Sequence, residues 1–161
     1  KVVHTGSQQA SSSLEIIGNI YGYSTTAGTK LDSIQFTVGN TAGGTPIDIS
    51  QMLVTFTSGT TSEVIQYDKT NSVVGDYNAG DTPEPDAGKW AVIETYNNVG
   101  TQNHLLEPGE QFVLQIVFPT GAEVVTLEPN TPFSVNLQPA VGAAYPIKKT
   151  VPAHLNPVNT L

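Results

Sequence analysis

The stretch FSVNLQP at residues 133–139 shows a clear β-strand pattern. Phe133, Val135 and Leu137 alternate with polar residues, and a period of two places these three apolar side chains on one face of an extended strand. A turn containing Pro, Gly and Ala follows, and the chain then continues into a second extended segment, IKKTVP, at residues 147–152. We therefore predict two extended segments joined by a turn at this end of the chain.

The same period recurs upstream of this stretch. Ile34, Phe36 and Val38 alternate with polar residues and predict a half-buried strand. Residues 112–118, FVLQIVF, are almost continuously apolar, which is typical of a central strand buried on both faces. Further strands are predicted at residues 14–23, 52–57, 64–67, 90–96 (with Trp90, Val92 and Tyr96 on one face) and 124–127.

Turn-forming residues separate these apolar runs, for example Pro108-Gly109 and Pro129-Asn130. Eight or so short strands without helical periodicity between them predict an all-β fold, an antiparallel β-sandwich. The pattern alone leaves two strand orders open, an immunoglobulin-like sandwich and a jelly roll.

The composition limits the classes of function. The chain has 161 residues, which suits one domain with a sizeable core, and a formal net charge of −8. Its only cations besides histidine are six lysines, of which Lys148-Lys149 is the one adjacent pair, and this argues against a nucleic-acid partner. The absence of cysteine excludes disulfides and thiolate metal sites. No apolar run approaches the roughly 20 residues that span a bilayer.

An acidic loop is the best candidate for a metal site. Residues 69–89 hold Gly, Pro and several carboxylates, and structureless loops of this length often have a function. Carboxylate and amide oxygens are ligands of Ca²⁺. We therefore expect Asp68, Asp76 and Asp81, with Asn97 or Asn98, to be the candidate calcium ligands; the alternative is a solvated loop that only keeps the surface soluble.

No pattern indicates catalysis, and we expect no catalytic residues. The three histidines are scattered, and there is no Gly-x-Ser-x-Gly motif. Glu94, Glu107 and Glu110 are the candidates for a carboxylate pair, but residues 107–110 are better interpreted as a turn. The six tyrosines are expected in the core or at interfaces, although they could instead form a sugar-binding platform.

Three stretches, taken in order, resemble a known family. They are TGSQQ at residues 5–9, PIDIS at 46–50 and the segment 133–152. Together with the β-rich middle they resemble archaellins, the filament subunits of the archaeal flagellum. The resemblance implies an immunoglobulin-like sandwich over residues 14–161, preceded at residues 1–13 by a linker or the end of an N-terminal helix.

The resemblance also implies a function. Archaellins, like type IV pilins, carry a long apolar N-terminal helix, which we expect to precede this chain and to contact the membrane only during assembly. The implied role is a non-enzymatic subunit of an extracellular filament that serves swimming motility and surface attachment. Its partners would be identical or related subunits rather than nucleic acids or small-molecule substrates, with Lys148 and Lys149 candidates for pairing with acidic loops of a neighbour.

Two further points qualify the resemblance. Archaellins of methanogens bind a metal ion in this domain, which favours the calcium hypothesis, but the N-glycosylation sequon common in the family is absent. The rival interpretation is a carbohydrate- or calcium-binding β-sandwich module of a secreted enzyme or adhesin.

Overall fold

The computed structural model describes residues 13–25, 28–41, 43 and 45–161. The motif at residues 5–9 lies outside this part of the chain, as does the predicted segment 1–13 apart from Ser13.

The described residues form eleven strands and two short 3-10 helices, Ile49–Gln51 and Lys69–Asn71. No helix in the described ranges has the length and apolar character needed to cross a membrane. The strands are β1 Leu14–Tyr23, β2 Ser33–Asn40, β3 Ile47–Asp48, β4 Leu53–Ser58, β5 Thr61–Tyr67, β6 Lys89–Tyr96, β7 Leu105–Leu106, β8 Gln111–Val117, β9 Pro132–Gln138, β10 Tyr145–Thr150 and β11 Val158–Thr160.

Nine strands form one curled sheet in the order β10-β9-β4-β5-β6-β8-β2-β1-β11, and β3 pairs with β7 separately. We call β10-β9-β4-β5 the four-stranded half and β6-β8-β2-β1-β11 the five-stranded half. All pairs are antiparallel except β5 with β6, which join the halves through only two residue pairs, Gln66 with Lys89 and Tyr67 with Trp90.

The two halves bury their apolar faces against each other. Phe118, which follows β8, packs its ring 5.1 Å from that of Phe56 on β4 and 5.5 Å from that of Phe133 on β9. Trp90 is fully buried at the joint between the halves, with its ring 4.6 Å from Tyr67. The prediction of an all-β, mainly antiparallel fold is confirmed, whereas the immunoglobulin-like strand order stays a prediction.

The period-two patterns correctly identified the buried face of several strands. Ile34, Phe36 and Val38 are buried on β2, and Phe133, Val135 and Leu137 are buried on β9. The extended segment at residues 147–152 is also confirmed for the most part, because β10 pairs with β9. Residues 112–118 correspond closely to β8, which lies between β2 and β6.

Two expectations were wrong. Tyr96 does not share the buried face of Trp90 and Val92, because a bulge between Val92 and Glu94 reverses the alternation and leaves Tyr96 47% exposed. Residues 124–127 do not form a strand. Their backbone bonds instead to isolated partners: the Val125 amide donates to Thr61 Oγ1 at 2.7 Å, and the Leu127 carbonyl accepts from Leu31.

Candidate functional site: the lysine groove and the acidic loop

The outward face of the four-stranded half is polar but nearly uncharged. The register places Lys148, Ser134, Thr57 and Ser62 side by side across the four strands, and the Thr57 and Ser134 hydroxyls hydrogen-bond to each other. The next row outward is Pro146, Asn136, Thr55 and Val64. Because side chains alternate between faces along a strand, all of these side chains point outward, and the two rows carry hydroxyls, one amide, one lysine and the apolar Pro146 and Val64, with no carboxylate.

A shallow groove lies at one end of this face, where β4 and β10 end and β9 begins. We call it the lysine groove. Its volume is about 640 Å³, and its lining combines polar residues with apolar ones: Thr57, Ser58, Ser134, Lys148, Lys149 and Thr150 on the one hand, and Pro132, Phe133 and Leu161 on the other. Hydroxyls and ammonium groups can all donate hydrogen bonds, so the groove suits an anionic partner.

The two lysines of the groove differ in their surroundings. Lys149 lies opposite Phe133 of β9, and its Nζ donates a hydrogen bond of 3.4 Å to the Leu161 carbonyl. Lys148 points to the opposite, outward side and is exposed. Among the described residues, no carboxylate lies within 4 Å of Lys148 Nζ. Lys148 is therefore the lysine of this pair that is available to a partner.

The acidic loop predicted at residues 69–89 occupies residues 69–88, because β6 begins at Lys89. It is anchored by a buried carboxylate. Asp68 is only 4% exposed, and its Oδ2 accepts hydrogen bonds of 2.9 Å from Asn71 Nδ2 and from the Asp86 amide. The Asp68 amide also donates to the Trp90 carbonyl at 2.7 Å. Asp68 thus ties both ends of the loop to the joint between the two halves.

These hydrogen bonds determine the ionisation of Asp68. Burial alone raises the pKa of its carboxyl, but the bonds from Asn71 and from the Asp86 amide, together with the charge of Lys89, outweigh burial and leave the pKa below its usual value. The carboxylate is therefore the stable form, and its negative charge holds the loop in place.

The first part of the acidic loop is packed tightly. The Val73 amide donates to the Val92 carbonyl and the Asp76 amide to the Lys69 carbonyl, each at 2.9 Å. A Cβ atom placed on Gly75 would lie 2.3 Å from the Lys69 carbonyl oxygen, so only glycine fits there. The long loop predicted from sequence is confirmed, and it is an ordered structure.

The three predicted calcium ligands are placed differently from one another. Asp68 is buried and bonded as described, Asp76 forms an ion pair of 3.5 Å with Lys69, and Asp81 is exposed. Within the described ranges, no three His, Cys, Asp or Glu side chains converge as a metal site requires. The three carboxylates therefore do not converge on one point in this arrangement, and calcium binding stays a prediction.

The candidate carboxylate pair serves local structure. Glu110 is 2% exposed, and its two oxygens accept hydrogen bonds of 2.7 Å from the amides of Val99 and Glu107. Glu94 accepts from the Tyr96 hydroxyl at 2.7 Å. The turn predicted at residues 107–110 is confirmed by a bond from the Glu110 amide to the Glu107 carbonyl.

A side-chain contact between His104 and Asp48 was not predicted from the sequence. His104 Nδ1 lies 2.9 Å from Asp48 Oδ1, which also accepts from the Ser50 amide and hydroxyl. Burial raises the pKa of Asp48, but the bonds from Ser50 and the interaction with His104 lower it by more. The two residues are 56 positions apart, so no local sequence pattern could have paired them.

The comparisons with known proteins bear on this architecture. A family model described as archaeal-type flagellin matches residues 1–149. The chain belongs to the archaeal-type flagellin family. It is 25% identical over its whole length to probable flagellin 1 of Archaeoglobus fulgidus, covering 76% of that protein, and 30% identical over 94% of its length to probable flagellin 2, covering 72%.

Solved structures show the same fold. A crystal structure of an archaeal flagellin from Methanocaldococcus jannaschii matches 92% of this chain and 96% of that chain, with a TM-score of 0.68 and 20% identity. The archaeal flagellum of Methanospirillum hungatei matches 99% of this chain and 77% of that chain, with a TM-score of 0.65 and 20% identity.

Family membership fixes the general role of this flagellin. It is a structural subunit of the archaeal flagellum, an extracellular filament at the cell surface that serves motility. The rival interpretation, a carbohydrate- or calcium-binding module of a secreted enzyme or adhesin, is not favoured.

Proposed function

We propose that this flagellin packs against identical or related subunits through its sheet surface, forming part of the outer wall of the filament, and that it carries no catalytic site. The single observation that supports the proposal most strongly is the family match over residues 1–149. By analogy with pilin-like subunits, an apolar N-terminal helix would form the filament core and would contact the membrane only during assembly. Surface attachment is a second use of the same filament.

The described surface suits repeated contacts between copies. On a chain with a net charge of −8, contacts between like-charged faces would be repulsive. The outward face of the four-stranded half avoids this repulsion, because its two central rows carry no carboxylate. Hydroxyl and amide groups on such a face can form direct or water-mediated hydrogen bonds with a neighbouring subunit.

The hydrogen bonding of the candidate carboxylates supports the proposal that the protein has no catalytic site. Glu110 is used to hold two backbone amides, and Glu94 is bonded to a tyrosine. Both carboxylates are therefore engaged within the protein, and neither is a free member of the carboxylate pair that glycoside hydrolysis uses.

The test is the composition of native filaments. Filaments sheared from swimming cells should contain peptides of this chain, and deletion of its gene should reduce filament number, swimming and adhesion to surfaces, with recovery on complementation. Abundant expression of the chain together with its complete absence from the filaments would contradict the proposal.

A further inference from the structure

We propose that the lysine groove of one subunit binds the acidic loop of a second copy of this chain. This contact rests on the proposed function, since it joins neighbouring subunits of the filament, and it identifies the two surfaces that meet.

The groove offers an unused positive charge surrounded by hydroxyls. Lys148 is exposed and has no carboxylate within 4 Å among the described residues. Thr57, Ser134 and Thr150 line the same groove. One hydroxyl of the Thr57–Ser134 pair donates to the other, which leaves the remaining hydroxyl of the pair and that of Thr150. A carboxylate entering the groove would receive a charge-assisted hydrogen bond from the Lys148 ammonium group and further bonds from these hydroxyls.

The acidic loop offers unused negative charge on a stiff segment. Asp81, Glu84 and Asp86 are exposed, and in the part of the chain that the structure describes none of them lies within 4 Å of a lysine Nζ. They belong to the sequence DTPEPD at residues 81–86, in which two prolines restrict the backbone. The buried Pro85 and the Asp86 amide bonded to Asp68 fix one end of the segment. A pre-organised segment loses less entropy on binding.

The groove and the anchor of the loop lie at opposite ends of β5. Ser58, in the groove, pairs with Thr61 at the start of β5, whereas Asp68 follows the last residue of the strand. At about 3.3 Å per residue, the seven residues of β5 separate these two places by roughly 20 Å. A contact between the groove of one copy and the loop of another therefore joins two different surfaces, and such head-to-tail contacts generate open helical assemblies when the rotation between neighbours does not close a ring.

The free edge of the four-stranded half is unsuited to the alternative of strand addition. β10 is the outermost strand, and it carries Pro146 and two lysines. Proline and lysine on an edge strand disfavour pairing with another chain. Contact through the groove avoids this obstacle.

The first test reverses the charge of the groove in the complete flagellin, expressed in cells that lack the native subunit. Lys148→Glu should lower filament yield at low salt by roughly tenfold, because it places like charges in contact. Lys30→Glu changes the net charge by the same amount at a lysine 3.9 Å from Asp32, outside the groove, and should leave the yield within about twofold. Glu84→Lys should restore part of the yield when combined with Lys148→Glu, an effect that a folding defect would not show.

The second test is cross-linking within assembled filaments, which does not depend on a charge variant. The chain contains no cysteine, so Ser134→Cys with Glu84→Cys introduces its only thiols. This pair should give a ladder of disulfide-linked subunits, whereas Ser134→Cys with Glu94→Cys, on the five-stranded half, should not. Equal yields of the Lys148→Glu and Lys30→Glu variants, without a ladder, would overturn this contact while leaving the filament role intact. Failure of the unmodified subunit to enter filaments would instead overturn the proposed function.

Discussion

The two halves of the sheet share one core but present different outward faces. The four-stranded half exposes hydroxyls and Lys148 together with the apolar Leu53 and Val64, whereas the outward face of the five-stranded half includes Ile17, Tyr21 and Tyr23 together with Glu15 and Glu94. Both faces therefore mix polar and apolar side chains, and they differ in charge: the first carries a lysine and the second carries two glutamates. This difference shows that the negative charge of the chain is distributed unevenly, which leaves one face able to receive an acidic partner.

The largest expected effect comes from the joint that both faces depend on. Trp90 is fully buried against Tyr67, where β5 meets β6. Trp90→Ala should reduce the free energy of unfolding by about 3–5 kcal/mol, through lost burial and the cavity left behind. Denaturant titration followed by circular dichroism measures this loss. Val141→Ala, at a residue that is 58% exposed and lies outside the strands, is the control and should change stability by about 0.5 kcal/mol or less. A small loss for Trp90→Ala would mean that the halves are stable independently.

A smaller effect is expected at the anchor of the acidic loop. Asp68→Asn removes the charge that the Asn71 amide and the Asp86 amide stabilise, and it should cost about 1.5–3 kcal/mol at pH 7. The folded-state pKa of Asp68 is lowered, so this stabilisation is present above the unfolded pKa of about 3.9 and is lost as the pH falls through the folded value. The difference in the free energy of unfolding between wild type and variant should therefore disappear below about pH 4.

The control for this prediction is Asp81→Asn, since Asp81 is exposed. At every pH from 7 to 3, the urea midpoint of this variant should be nearly the same as that of the wild type. A gap for Asp68→Asn that stayed constant over the same range would show that the charge of Asp68 does not hold the loop.

The comparison between the two outward faces is tested by adding one carboxylate to each. Thr57→Glu adds it to the lysine groove, and Gln35→Glu adds it to the five-stranded half, at a residue of similar intermediate exposure. Both should change the free energy of unfolding by about 1 kcal/mol or less, because surface substitutions have small effects. Only Thr57→Glu should lower filament yield. Equal yields for the two variants would remove the distinction between the faces as regards assembly.

The smallest effect concerns calcium. If Asp68, Asp76 and Asp81 bind Ca²⁺, millimolar calcium should raise the melting temperature of the chain and a chelator should lower it, because a ligand that binds only the folded state stabilises it by mass action. Differential scanning calorimetry measures both shifts. Magnesium is the control ion. A melting temperature that neither calcium nor chelator moves would end the calcium hypothesis.

The strands were predictable wherever alternation alone determined burial. Phe36 and Val135 lie on inward faces because their neighbours in sequence are polar. The bulge near Val92 was not predictable, because nothing in the sequence signals where one residue is added to a ladder. The strand predicted at residues 124–127 was wrong because Leu127 is buried within an irregular segment that covers the core. A short apolar run does not distinguish such a segment from a strand.

The candidate surfaces were predictable only in part. The lysine pair was noticeable in the sequence because the chain has few cations. The difference between the two lysines was not, because it depends on which side of β10 each side chain occupies and on the position of Leu161, which accepts a hydrogen bond from Lys149. The acidic loop was also apparent from its composition. The anchoring of that loop by Asp68 was not, because the partner amide of Asp86 is 18 residues away and only the fold brings the two together.

The most direct test of the account is a cryo-electron microscopy map of the native filament at side-chain resolution. We predict that Lys148 Nζ of one subunit lies within about 4 Å of a carboxylate from residues 81–86 of a neighbouring copy, the distance expected of an ion pair. A map in which the lysine groove faces solvent, or contacts a surface without carboxylates, would contradict it.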